Sequence, residues 1–196
     1  MEEWHLKYQV DVPEGKAGDW AVEKFAVTAE AEKWEQLRAM MNRGRYVPVG
    51  TYTGLYRKNK TIMSDTPDEI RDHLGAIRMA NGQVLINGLG LGVMLKAVLA
   101  KPEVAHVTVV EKASEVIGLV GTHYACLHKS RLTIVHDDAF TYKPPKGIRY
   151  GAVWHDIWDD LCADNLPEMS NLHRKYGKRC DWQGSWGKDW IKAWTR

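Results

Sequence analysis

The sequence predicts a doubly wound α/β fold with a mostly parallel sheet, a small N-terminal extension made of a β-hairpin and a helix, and a shortened C-terminal part. Between residues 66 and 156, apolar strand-like runs alternate with helical segments, which is the order of a parallel sheet with right-handed crossovers. Alternating glycines follow the first of these strands, at residues 88–92. The 196 residues are 44% hydrophobic and 27% charged, as in globular domains.

Residues 1–65 are predicted to form the N-terminal extension. Alternating apolar and polar residues at its start are typical of a half-buried strand. Further on, a turn-like basic tripeptide between two extended segments indicates a hairpin. The predicted elements are a strand at 5–12, a helix at 29–41 after a strand or short link, and hairpin arms at 46–56 and 60–64 around residues 57–59.

Residues 66–196 are predicted to form a Rossmann-like domain. Its first helix begins at Pro67, because Thr66-Pro67-Asp68-Glu69 has the pattern of a capping box with proline at the first helical position. All-apolar runs then predict strands that are buried on both faces of a parallel sheet. The predicted strands are 84–86, 104–110, 132–135, 152–156 and 180–182, and the helices are 67–79, 93–100, 114–124, 165–176 and one starting at 188.

Charge and cysteine content narrow the class of protein. The net charge of +2 is smaller than the basic excess of most nucleic-acid binders, so we do not expect a nucleic-acid partner. No apolar run approaches the roughly 18–20 residues of a membrane span, and the N-terminus lacks the features of a secretory signal. The three cysteines are widely spaced, which fits a reducing compartment. We expect a cytoplasmic protein without membrane contact.

The glycine-rich turn is the strongest local signal for function. Gly88, Gly90 and Gly92 alternate between a predicted buried strand and a predicted helix. Glycine lets a backbone approach a ligand closely, and a helix N-terminus presents free N–H groups. The GxGxG spacing, together with the long section before it, favours S-adenosylmethionine over NAD. A tight turn without a ligand is the alternative.

Acidic residues follow the next two predicted strands, at the end of the sheet where open α/β folds bind ligands. Glu111 ends the second strand, and an acid there accepts hydrogen bonds from ribose hydroxyls. Asp138 follows the third strand and can accept a hydrogen bond from the adenine amino group. Turn capping is the alternative for Asp138.

The fourth strand leads into a segment that suits an acceptor site. Asp156 can deprotonate or position an attacking amine or hydroxyl, and Asp159 lies three residues on. Trp154 and Trp158 can wall the pocket or stack on a cation. Capping of the next helix is the alternative for the two acids. The histidines and cysteines lack a ligand spacing, so we expect no metal site.

Residues 84–160 resemble class I S-adenosylmethionine-dependent methyltransferases, and particularly their spermidine synthase (polyamine aminopropyltransferase) branch. The similar features are the glycine loop, the acid ending strand two, the Asp-Ala pair at 138–139 and the Asp-x-x-Asp motif at 156–159. Residues 64–73 are similar to the family's Asp-Glu-x-x-Tyr-His helix start. The resemblance implies that S-adenosylmethionine or its decarboxylated form is bound by Asn87, Gly88, Gly90, Gly92, Glu111, Asp138, Ala139 and Asp156. It implies catalytic and substrate-binding roles for Asp156, Asp159, His73, Trp154 and Trp158.

Four positions differ from these relatives. Asn87 stands where many methyltransferases carry an acid, and Leu91 where aminopropyltransferases usually do. Asp160 replaces a proline and Asp72 a tyrosine. These differences weigh against polyamine synthesis. The few residues after Asp156 are not expected to supply the closing antiparallel hairpin of a full methyltransferase sheet.

The sequence therefore predicts an S-adenosylmethionine-dependent methyltransferase acting on a small-molecule acceptor. Aminopropyl transfer from decarboxylated S-adenosylmethionine to a polyamine is the second hypothesis. A non-catalytic nucleotide-binding module is the third, and an NAD-linked enzyme is a distant fourth. A homodimer is left open.

Overall fold

The computed structural model describes residues 4–42 and 47–195. It contains a four-stranded sheet in the order β1-β2-β3-β4 and a five-stranded sheet in the order β7-β6-β5-β8-β9. The strands are β1 (Gly15–Ala17), β2 (Trp20–Val27), β3 (Gly50–Arg57), β4 (Lys60–Ser64), β5 (Gly82–Asn87), β6 (Val104–Glu111), β7 (Leu132–His136), β8 (Tyr150–His155) and β9 (Cys180–Ser185). The helices are α1 (Ala29–Asn42), α2 (Pro67–Met79), α3 (Val93–Leu99), α4 (Ser114–Val116), α5 (Thr122–Leu127), α6 (Asn165–Tyr176) and α7 (Lys188–Trp194).

The smaller sheet is antiparallel throughout. The predicted hairpin is present in it as β3 and β4, with Arg57 paired to Lys60. Lys58 and Asn59 between them have φ angles of 50° and 63°. Two consecutive residues with positive φ form the tight turn whose twist suits a two-residue hairpin. Position 46 of the predicted arm lies outside the described residues.

The predicted strand at 5–12 is wrong. Residues Leu6–Tyr8 form a short 3-10 helix, and residues 9–14 after them belong to neither sheet. Val10 and Val12 are nevertheless buried, with 8% and 1% of their surface exposed. The amide of Val10 donates to Oδ2 of Asp65 at 3.0 Å. The alternation therefore predicts burial correctly at Val10 and Val12 but not at Leu6, which is 47% exposed. A carboxylate takes the place of a partner strand at Val10.

The larger sheet is parallel at every pairing, as predicted. Its central strand β5 pairs with β6 on one side and β8 on the other. Successive crossovers therefore diverge at β5, which leaves a crevice beyond the carboxyl ends of the strands. All six residues of β8 are buried, as expected for a strand covered on both faces.

Helix α2 begins at Pro67 as predicted, but its cap differs from the predicted box. Thr66 occupies the N-cap position without a side-chain hydrogen bond to the helix. The Glu69 carboxylate instead accepts hydrogen bonds from the amide and hydroxyl of Ser64, at 2.6 and 2.8 Å. Glu69 therefore ties α2 to the end of β4 and stands close to the sheet crevice.

The predicted helix at 114–124 extends to Leu127 and contains a π-helical turn at Ile117–Gly121. The predicted helix at 165–176 corresponds to α6. Strand β9 runs three residues beyond its prediction and pairs in parallel with β8. Within the described residues, α7 follows β9 and no antiparallel strand comes after it. No helix in this part of the chain has the length and apolar character of a membrane span.

One apolar core connects the two sheets. It contains Val22 and Leu55 from the small sheet together with Ile86 and Leu91 from the β5 region. A second cluster lies under α6, around Leu85, Val153, Leu172 and Tyr176. The small sheet therefore packs against the same interior as the parallel sheet and forms one wall of the crevice.

Candidate functional site

A cavity of about 250 Å³ lies at the carboxyl ends of the parallel strands. The sheet contributes the residues that follow β5, β6, β7 and β8, and the small sheet and α2 close the opposite side. The predicted residues that line it are Gly88, Gly90, Glu111, Asp138, Ala139, Asp156, Trp158, Asp159 and His73. The structure thus brings together most of the positions that the sequence singled out.

The glycine loop has the predicted backbone, but neighbouring protein atoms use the space that its glycines leave. Gly88, Gly90 and Gly92 have φ angles of 94°, 52° and 79°, which strain residues with a side chain. A Cβ at Gly88 would overlap the carbonyl oxygen of Asp156, and one at Gly90 would meet the sulfur of Met63. The glycines are therefore needed first for the close packing of the chain itself.

Glu111 joins the tip of β6 to this loop. Its Oε2 accepts a hydrogen bond from the amide of Leu89 at 2.8 Å, and its Oε1 accepts from the amide of Ala113 at 2.7 Å. Each carboxylate oxygen has a further lone-pair site. Glu111 can therefore accept hydrogen bonds from a ligand in the cavity while it holds the loop.

Asp138 has the hydrogen bonds of a turn cap and an ion pair. Its Oδ1 accepts from the amide of Phe140 at 2.8 Å, and its Oδ2 from Nζ of Lys112 at 2.8 Å. The Lys112 hydrogen bond and the Phe140 amide lower the pKa of Asp138. Nζ of Lys175 holds the same turn by donating to the carbonyls of Ala139 and Phe140. Asp138 lines the cavity as an ionised group.

Asp156 faces a cluster of polar side chains from α2. Burial raises its pKa to about 7, with the nearby Glu69 and Asp72 carboxylates adding to the effect. Burial also raises the pKa of Glu69 to about 7. His73 is 2% exposed, and its Nε2 lies 3.8 Å from Oδ2 of Asp156. Burial lowers the pKa of His73 to about 4, so its imidazole is neutral beside two carboxyl groups that titrate near pH 7.

Asp159 lines the cavity but its carboxylate is engaged with the hairpin. Oδ2 of Asp159 accepts a hydrogen bond from Nη2 of Arg57, and Arg57 stands over the ring of Trp20 at 5.3 Å. The next residue, Asp160, accepts from Nζ of Lys60 at 2.5 Å. The predicted substrate contact from Asp159 therefore competes with an ion pair that connects the β3–β4 turn to the segment after β8.

Three predicted site residues lie elsewhere. Trp154 is buried in the core, stacked on Trp182 with ring centroids 6.3 Å apart. Gly92 packs against the ring of Tyr124. Asn87 is fully buried, and its Nδ2 lies 2.8 Å from Nδ1 of His155. None of the three is among the residues that line the cavity. Strand alternation turns the side chains of Trp154 and Asn87 away from it, and Tyr124 covers Gly92.

Several lining residues were not predicted from the sequence. Met63 is 9% exposed and its sulfur accepts a hydrogen bond from the amide of Leu91 at 3.4 Å. Trp186 follows β9, and its Nε1 donates to Oδ2 of Asp72 at 3.3 Å. The sequence predicts Glu69 as part of a capping box and of a family-like helix start, without a role in the site. For Met63 and Trp186, no local pattern signals the cavity, because each is brought there by the packing of separate elements.

The charge of the cavity is strongly asymmetric. Of the described residues that line the cavity, one has a permanently cationic side chain, Lys112. The acidic lining residues are Glu69, Glu111, Asp137, Asp138, Asp156, Asp159 and Glu168. This surplus of carboxylates over cationic groups attracts a positively charged ligand.

Within residues 4–42 and 47–195, no group of three or more histidine, cysteine or acidic side chains has the arrangement of a metal site.

The parallel sheet order and the crevice beside β5 give this protein the fold of the class I S-adenosylmethionine-dependent methyltransferases, as the resemblance implied. Among solved structures it is similar to a spermidine synthase from Thermotoga maritima, with 13% identity and a TM-score of 0.50 over 86% of this chain and 52% of that chain. The chain thus spans about half the length of that synthase.

Two further solved structures each match over 57% of this chain. One is a dimethyladenosine transferase from Plasmodium falciparum, with 20% identity and a TM-score of 0.40 over 57% of this chain and 37% of that chain. The other is the CcbJ methyltransferase from Streptomyces caelestis, with 18% identity and a TM-score of 0.42 over 57% of this chain and 43% of that chain. No protein-family model and no curated protein matches the sequence.

Proposed function

We propose that this protein is an S-adenosylmethionine-dependent transferase, and specifically a methyltransferase that acts on a small-molecule acceptor. The observation that carries the proposal is the meeting of three groups around one cavity: the 88–92 loop, Glu111 and Asp156. In folds of this kind ligands bind beyond the carboxyl ends of the strands, where these groups lie.

The chemistry of the lining fits this cofactor. The sulfonium of S-adenosylmethionine is positively charged, and the cavity is lined by seven carboxyl groups and one lysine. Glu111 has lone pairs to accept hydrogen bonds from a ribose while it holds the loop amide of Leu89. Asp138 and Ala139 border the cavity on the β7 side, where the resemblance places the adenine.

Asp156 is the group proposed to handle the acceptor. When bound, the cofactor supplies an already activated methyl group, so alignment of the acceptor is the main task of the protein. The Asp156 carboxyl has a pKa of about 7, close to the value at which a general base works best near neutral pH. It can hold the acceptor's nucleophilic atom by a hydrogen bond and take its proton.

Aminopropyl transfer to an amine is the second candidate. The observation that favours it is the pair of partly buried carboxyl groups Glu69 and Asp156 on adjoining walls of the cavity. Two such groups suit an acceptor with more than one ammonium group. The donor in that reaction is decarboxylated S-adenosylmethionine.

Titration calorimetry with S-adenosylmethionine and S-adenosylhomocysteine tests the cofactor. We expect the wild type to bind both, and Glu111→Gln to bind more weakly, because it keeps only one of the two acceptor oxygens that hold the loop and face the cavity. Asp181→Asn is the matched control, because Asp181 is exposed and pairs with Arg149 away from the cavity. Absence of binding by a folded wild type would contradict the proposal. Incubation with decarboxylated S-adenosylmethionine and putrescine separates the two candidates, because only aminopropyl transfer releases methylthioadenosine.

A further inference from the structure

A polar pair lies inside the parallel sheet, directly behind the proposed cofactor and acceptor groups. Asn87 on β5 and His155 on β8 are register partners and both have 0% of their surface exposed. Nδ2 of Asn87 lies 2.8 Å from Nδ1 of His155. The next register pair on the same face of the sheet, Leu85 with Val153, is apolar and fully buried. Burial of a polar pair two residues further along costs stability that an apolar pair would not.

The protonation state of this pair follows from its surroundings. Burial lowers the pKa of His155 to about 3, and His173 close by lowers it further, so the imidazole is neutral. An amide N–H can donate only to an unprotonated ring nitrogen. The hydrogen bond from Asn87 therefore leaves the proton of His155 on Nε2, which faces Oε1 of Gln183 at 3.5 Å. In this arrangement Nδ2 of Asn87 donates to Nδ1 of His155, and Oδ1 of Asn87 is buried without a hydrogen-bond partner among the described residues.

Each member of the pair is followed at once by a residue of the site. Gly88 comes after Asn87 and opens the glycine loop, and Asp156 comes after His155. The amide of Asp156 donates to the carbonyl of Asn87 at 2.8 Å. The Asp156 carbonyl in turn fills the space that a Cβ at Gly88 would need. The relative position of loop and acid is thus set where the two strands leave the sheet.

We infer that Asn87 and His155 are positioning residues, whose buried hydrogen bond fixes the glycine loop relative to Asp156. Neither residue lines the cavity. It acts by excluding small shifts of β5 against β8, which apolar side chains tolerate because their contacts have no direction. Only the ligand-binding part of this inference rests on the proposed function.

The test separates a positioning role from a merely structural one. Asn87→Leu and His155→Phe each leave one buried polar group without its partner, so both single variants lose stability. The double variant leaves neither group unpaired and is expected to regain most of that loss. If the pair has only a structural role, the double variant regains the local geometry and ligand binding together with its stability. If the pair positions the site, the double variant regains stability but neither the local geometry nor ligand binding.

Two measurements are made on the wild type, the two single variants, the double variant and Val153→Ala. The last is a control for loss of packing in β8. Hydrogen exchange of the Asp156 amide needs no ligand, and we expect the double variant to exchange at least about tenfold faster than the control at equal global stability. Calorimetry with S-adenosylhomocysteine is expected to show at least about tenfold weaker binding in the double variant.

The outcomes are distinct. Wild-type exchange at Asp156 in the double variant would overturn the inference, whether or not the protein binds S-adenosylhomocysteine. Faster exchange with unchanged binding would also overturn it, because the geometry would then not matter to the site. Absence of binding by the wild type would contradict the proposed function alone, and the exchange result would still decide the role of the pair.

Discussion

The carboxylate of Glu111 accepts a hydrogen bond from the amide of Leu89 at 2.8 Å. This hydrogen bond connects the acid at the tip of β6 to the glycine loop that follows β5. The same side chain also accepts from the amide of Ala113. A residue expected to bind a ligand therefore also supports the loop. Changes at this position affect both the stability of the protein and the site.

Replacement of Glu111 by alanine is expected to lower the free energy of unfolding by about 1–3 kcal/mol, because two backbone donors lose a charged acceptor. Binding of S-adenosylhomocysteine should weaken at least about tenfold. Glu111→Gln keeps one acceptor oxygen, so its stability and its affinity for S-adenosylhomocysteine are expected to lie between those of the wild type and of Glu111→Ala. Urea unfolding and calorimetry measure these effects. Equal binding by all three proteins would contradict a ligand-contacting role for Glu111.

The two partly buried carboxyl groups Asp156 and Glu69 make the free energy of unfolding depend on pH. Burial raises both pKa values to about 7, against about 4 in an unfolded chain. Between about pH 4 and 7 the native state therefore holds more protons than the unfolded state, and the free energy of unfolding falls as the pH rises. Asp156→Asn should reduce this fall in urea unfolding at pH 5, 6, 7 and 8. An unchanged slope in that variant, with Asp181→Asn as control, would contradict the assignment.

Ionisation of Asp156 is also expected to govern the binding of cationic ligands. As the pH rises through about 7, the carboxyl becomes an anion and S-adenosylmethionine, with its sulfonium, should bind more tightly. S-adenosylhomocysteine has a neutral thioether and should respond less. Calorimetry of both compounds at pH 6 and 8 measures the difference, and Asp156→Asn should reduce it. The same pH response for both ligands would show that the sulfonium charge is not being sensed.

The ion pair between Arg57 and Asp159 connects the hairpin to the segment after β8. Both side chains are partly exposed, at 42% and 33%, so Arg57→Gln is expected to change the stability by less than about 1 kcal/mol. Its effect on ligand release should be larger, because the hairpin forms a wall of the cavity. Stopped-flow dissociation of S-adenosylhomocysteine should be faster in Arg57→Gln and should recover in the swapped variant R57D/D159R. Failure of the swap to recover would indicate that Arg57 acts through Trp20 instead.

Lys101, in the loop between α3 and β6, donates hydrogen bonds to the C-terminal end of α2. Its Nζ donates to the carbonyls of Ile77, Arg78 and Ala80 at 2.7, 3.2 and 2.7 Å, and its side chain is 17% exposed. Lys101→Met is expected to lower the free energy of unfolding by about 1–3 kcal/mol, because these helix-end carbonyls lose a charged donor. Urea unfolding measures this loss, and Lys146→Met on the exposed surface is the control. Equal stability of the two variants would contradict the role of Lys101.

The parts of the fold that the sequence predicted are those with strong local signals. Strand β5 and its glycine loop follow from an apolar run and three closely spaced glycines, and α6 coincides with the helix predicted at 165–176. Glu111 and Asp156 follow because the ends of parallel strands meet at one edge of a sheet. These inferences need only short stretches of chain and the known geometry of the fold class.

The parts that the sequence did not predict depend on contacts between distant residues. The pairing of Asn87 with His155 spans 68 residues, and that of Arg57 with Asp159 spans 102. No pattern in either segment indicates its partner. The segment at 5–12 shows the same difficulty in another form, because its apolar alternation is real but the side chain of Asp65, rather than a strand, bonds the Val10 amide.

The small sheet has no interior of its own, since Leu55 and Met63 belong to the same apolar core as Leu91. Because the small sheet shares its core with the parallel sheet, it cannot be exchanged as an independent module during evolution. New ligand preferences would therefore arise by point substitutions on the inner surface of the small sheet. Each such substitution must keep the common interior filled.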